Sequence, residues 1–140
     1  MTDKTAPKTE WGLAPTLDDI AAMAAKAVET LEEPFRSEAR TVAIKVEDYP
    51  DEETLDTLKI EDPLELTGLY AGAGMRLELH DTVEDLPGRV WLYRMPILFE
   101  WTGTSDITLE DLVAHVVIHE LGHHFGWSDE DMDEINEGED

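Results

Sequence analysis

The chain has no cysteine, which excludes disulfides, thiolate nucleophiles and any zinc site with sulfur ligands. Basic residues are scarce: ten lysines and arginines face 34 aspartates and glutamates, so the formal net charge is −24. A field of that sign repels nucleic acid and anionic membranes, and it favours peptide or protein partners of basic character. Most of the acidity reads as a solvated surface that maintains solubility. Long hydrophobic runs are missing too. None approaches the roughly eighteen residues that span a bilayer, and the opening stretch M-T-D-K-T-A-P-K-T-E has no apolar segment of a secretory signal. A cytoplasmic location is therefore expected. Hydrophobic residues still make up 41% of the 140, enough for a single modest core.

Residues 1–15 carry Pro7, Gly12 and Pro15 among polar residues and read as a flexible tail, with Trp11 the one residue that has reason to dock. Residues 16–137 read as one domain. Leu17, Ile20, Ala21, Ala24, Ala27, Val28 and Leu31 follow a helical period, Thr16 with Asp19 resembles a capping box, and Pro34 ends the run. Val42, Ile44 and Val46 alternate with polar neighbours as a half-buried strand. Leu55 and Leu58 anchor a short helix in an acidic, proline-bounded segment. Leu66 to Tyr70 reads as a strand entering a glycine turn, Leu77 and Leu79 as a hairpin partner, Asp85 to Gly88 as a turn, and Arg89 to Arg94 as a further strand. The turn, Ala71-Gly72-Ala73-Gly74, lacks the third glycine and following helix of a phosphate-binding loop. Pro96 starts a short helix through Phe99 or Trp101. Thr108 with Asp111 caps a long helix whose buried stripe is Leu109, Leu112, Val113, Val116 and Val117. Helix, strands and a final helix give an α+β layout.

The long helix carries the chemistry. His119-Glu120-Leu121-Gly122-His123 places two imidazoles four residues apart, on one face, where both reach one metal ion. Glu120 lies beside them, where a carboxylate takes a proton from a metal-bound water. Catalytic zinc needs a third protein ligand. Gly126 is placed to end the helix in a left-handed turn, and Asp129 arrives three residues later, giving His-Glu-x-x-His-x-x-Gly-x-x-Asp. Asp129 is the favoured third ligand. Its alternative role is a helix cap beside Ser128, and Glu130 and Glu134 are rivals for the metal. His115, one turn earlier, reads as a core or supporting histidine, His124 as structural or surface, and Trp127 as packing beneath the turn. A di-iron carboxylate site would need a second Glu-x-x-His, which the sequence lacks.

From Arg89 to Asn136 the chain resembles the bacterial zincin-like metallopeptidase family, the minimal zincins. The matching residues are R-V-W-L-Y-R-M-P and H-V-V-I-H-E-L-G-H-H-F-G-W-S-D-E-D-M-D-E-I, with Leu66-Thr67-Gly68-Leu69-Tyr70 before the glycine turn also alike. The resemblance implies a minimal zincin-like fold, with a helix pair around the metal, a short sheet above it, and Asp129 in the third-ligand position. Only eleven residues follow Asp129, most of them acidic, and none is a tyrosine. Met132 reads as a helix contact, and Tyr70 or Tyr93 is left to stabilise an oxyanion from the sheet. The expected function is zinc-dependent hydrolysis of a peptide or amide bond, with Glu120 as general base. The alternative is a zinc-binding module without turnover.

Overall fold

The computed structural model describes residues 13–72, 88–104 and 106–127. Most of the N-terminal tail, with Trp11, lies outside them. So do the expected strand at Leu77 and Leu79, the turn residues before Gly88, and the segment holding Ser128, Asp129, Glu130, Met132 and Glu134.

Helix α1 is Leu17–Val28. The Thr16 hydroxyl accepts from the Asp19 amide at 3.0 Å while the Asp19 carboxylate accepts from the Thr16 amide at 2.8 Å, so two otherwise orphaned donors are satisfied reciprocally. Ile20, Ala24, Ala27 and Val28 form its buried face. The apolar period predicts a helix reaching Leu31. The backbone instead turns after Val28, and Leu31 packs on the core from that turn. A second helix, α2 (Phe35–Ala39), begins directly after Pro34. Pro34 thus opens a helix rather than closing α1, because its fixed φ and missing donor are harmless at a helix start. Five residues are too few to show a period. After strand β1 (Ala43–Glu47), helix α3 (Glu52–Leu58) is capped by the Asp51 carboxylate, which accepts from the Thr54 amide at 2.8 Å.

Strands β2 (Gly68–Ala71) and β3 (Arg89–Tyr93) complete a three-stranded sheet of order β1-β3-β2. β3 runs parallel to β1 and antiparallel to β2. Central β3 buries Val90, Leu92 and Tyr93, as a strand covered on both faces does. The register aligns Ile44, Val90 and Tyr70, and likewise Val46, Leu92 and Gly68. Side chains alternate across a strand, so these six positions share one face. That face meets the helix that ends the described fold.

Helix α4 (Arg94–Thr102) follows β3 without a loop and starts two residues before Pro96, which sits in the first turn, where its missing N–H goes unused. Arg94 fastens this junction: Nε donates to the Pro15 carbonyl at 2.8 Å and Nη1 pairs with Asp48 at 3.1 Å. Helix α5 (Leu109–Phe125) is capped by Thr108, whose hydroxyl accepts from the Asp111 amide at 3.0 Å. The stripe Leu109, Leu112, Val113, Val116 and Val117 is buried as the period predicts. α1 and α5 pack on each other, and one core cluster joins them to the sheet. The result is α+β, a small mixed sheet packed on helices. Among the described residues no helix is long and apolar enough to cross a membrane.

Candidate active site

α5 presents two different faces along its last two turns. Leu121 is fully buried and Val117 likewise, while His119 and His123 are exposed. Their ring centroids are 5.4 Å apart and nearly perpendicular. Glu120 stands between solvent and core: its side chain keeps 14% exposure, and Oε1 lies 3.9 Å from His123 Nε2. Burial pushes this carboxyl up to about 7 from its ordinary 4.5.

The sheet produces that burial. At Gly68 an added Cβ would stand 2.9 Å from Val116 Cγ1 and 3.1 Å from Glu120 Cγ. Only a residue without a side chain lets β2 lie this close to α5, so the strand covers Glu120 on one side while the helix face stays open at the histidines. Two residues further along the same sheet face, the Tyr70 ring sits 6.5 Å from that of His123 with the planes 27° apart. The two strand residues advance about 6.6 Å and the three helix residues from Glu120 to His123 about 4.5 Å, in the same direction along the face. β2 therefore passes over Glu120 at Gly68 and over His123 at Tyr70.

The two sheet tyrosines behave differently. Tyr93 is only 2% exposed, and its phenol is pushed up to about 12, by burial first and then by the charges of Glu47, Asp51 and Glu120. It is a neutral, enclosed hydroxyl. Tyr70 is the tyrosine that reaches the histidine face, and its hydroxyl is bonded to His124 Nδ1 at 2.7 Å.

The C-terminal end of α5 has the anticipated geometry. Gly126 takes φ +82, and the amides of Gly126 and Trp127 return to the carbonyls of His123 and Gly122. Trp127 packs beneath this turn against Phe35 and Phe125, with ring centroids 5.1 and 4.8 Å away. Asp129 and its rivals Glu130 and Glu134 lie outside the described residues. Among the described residues, no set of three His, Cys, Asp or Glu side chains could hold a metal unaided. Two exposed imidazoles and a carboxyl beside one of them are nitrogen and oxygen groups of the kind that zinc takes.

A family model for zincin-like metallopeptidases matches residues 39–139. The chain belongs to the zincin-like metallopeptidase family. Membership carries a zinc-dependent, peptidase-type function in general terms, and it accounts for the pairing of a small sheet with an α5-type helix seen here. No curated protein sequence matched the chain.

This zincin-like chain also holds a polar group that its motif does not mark. His124 is 5% exposed and donates or accepts at both ring nitrogens, with Tyr70 at Nδ1 and Glu38 at 2.8 Å from Nε2. Its place in the core is legible in hindsight. Val113, Val117, Leu121 and His124 follow one helical stripe, so the second of the paired histidines turns inward while the first turns out.

Proposed function

We propose that the chain is a zinc-dependent peptidase in which His119, His123 and Asp129 hold the metal and Glu120 is the general base. The setting of Glu120 carries this reading. A site needed only for structure has no use for a carboxyl that is held under a strand, raised to about 7 and kept beside His123. Bound zinc supplies the Lewis acidity that polarises the scissile carbonyl and acidifies the attacking water. A cation beside Glu120 favours its ionised form, which is the form a base requires. Glu120 takes the proton from the water and returns it to the departing amine, so one carboxyl serves both halves of the reaction.

The match to a metallopeptidase family supports a peptide substrate. The net charge of −24 favours peptides of basic character.

The test is hydrolysis of a peptide mixture by zinc-loaded wild type and Glu120→Gln, followed by mass spectrometry. The expected result is cleavage by wild type and a loss of about 10²- to 10⁴-fold in the variant, the usual contribution of a positioned base, with zinc content unchanged. Equal residual cleavage by both would overturn the mechanism. Zinc binding without cleavage by either would leave a zinc-binding module.

A further inference from the structure

The hydrogen-bonded chain Glu38–His124–Tyr70 joins three elements that are far apart in sequence. Its links span 86 residues from α2 to α5 and 54 residues from β2 to α5. The directions of the bonds follow from donor chemistry. The Glu38 carboxylate only accepts, so His124 Nε2–H donates to it at 2.8 Å. In the neutral imidazole Nδ1 is then the acceptor, and the Tyr70 hydroxyl donates to it at 2.7 Å. The chain sits in a tight wall: a Cβ at Gly88 would stand 2.8 Å from His124 Nδ1 and 3.0 Å from the Tyr70 hydroxyl. There is little room for the phenol to swing while both bonds are made.

The ring fixed in this way is the one beside His123. Its centroid is 5.6 Å from that of His124 and 6.5 Å from that of His123. The geometry points to Glu38 and His124 as positioning residues that, through Tyr70, hold the exposed His123 imidazole in the orientation needed to bind zinc. The inference rests on the zinc site proposed above and adds its outer support.

Zinc affinity by chelator competition, measured well below the unfolding temperature, tests it with Tyr70→Phe, Glu38→Ala, Glu38→Gln and the Tyr70→Phe/Glu38→Ala double variant. Tyr70→Phe and Glu38→Ala are each expected to weaken binding about tenfold, at the low end for groups that orient metal ligands. The double variant should lose little more than either single one, because both break the same chain. Glu38→Gln keeps an acceptor oxygen and should stay within about twofold of wild type. The visible spectrum of the cobalt(II)-loaded protein should change in the first two variants and not in Glu38→Gln. Glu38 is half-buried, with 35% of its side chain accessible, and Glu38→Gln keeps the bond, so that variant is the folded control. Variants with lowered unfolding temperature but wild-type zinc affinity and cobalt spectrum would overturn the inference. A wild type that binds no zinc would overturn the underlying site as well, and so separates the two failures.

Discussion

Glu120 combines a motif position with an environment that the motif does not specify. Its carboxyl is raised from 4.5 to about 7 by burial where β2 passes close at Gly68. In the metal-free protein the consequence for stability has a definite sign. Between those two values the folded state binds a proton that the unfolded state has released, so stability falls as pH rises. The penalty is absent below about 4.5 and complete above about 7, and it amounts to at most about 3 kcal/mol. Urea unfolding of the metal-free chain at pH 5.5 and pH 8 is expected to show lower stability at the higher pH, and Glu120→Gln to reduce that difference. An unchanged difference in the variant would mean that Glu120 is not desolvated. The same residue scale separates the paired histidines. His123 is exposed beside Glu120, while His124, one residue on, is buried in the Tyr70–Glu38 chain.

α5 delivers both histidines and then ends sharply. Gly126 takes φ +82, and a Cβ there would meet nothing within 4 Å, so a substitution is penalised by the backbone alone. Gly126→Ala is expected to cost about 1 to 2 kcal/mol in thermal or urea unfolding, and Gly126→Asn less, because asparagine tolerates the left-handed region. Equal stability of glycine and alanine would show that the turn relaxes. This helix was legible because its cap, its stripe and its terminal glycine all agree in sequence, as was the outward placement of His119 and His123. α1 and the strands β1, β2 and β3 were legible from local pattern in the same way. α2 was not, since five residues after a proline carry no period, and α1 stops short of Leu31 because an apolar residue packs as well from a turn as from a helix. The burial of Glu120 was equally hidden: it depends on Gly68 lying against α5, a contact across the fold. The partners of His124 were out of reach for the same reason. Asp129, proposed from the motif spacing and the family resemblance, lies outside the described residues.

At the scale of the whole molecule the dominant property is a net charge of −24 carried on a small α+β body. Such a field acts on encounter rather than on the bond-breaking step. For a basic peptide, kcat/KM is expected to fall several-fold as salt rises from about 0.01 to about 0.15 M and the screening length contracts from about 30 to about 8 Å. A neutral peptide of the same length should show little change. Equal salt dependence for both would remove charge from the account of substrate choice. Encounter, however, matters only if the open face of α5 holds a metal. X-ray absorption at the zinc edge of the loaded protein addresses that claim directly. The account predicts a sulfur-free shell of nitrogen and oxygen ligands at about 2.0 to 2.2 Å, with the outer-shell scattering of two imidazoles, falling to one in His119→Ala or His123→Ala. A shell without imidazole scattering, or one that these substitutions leave unchanged, would contradict it.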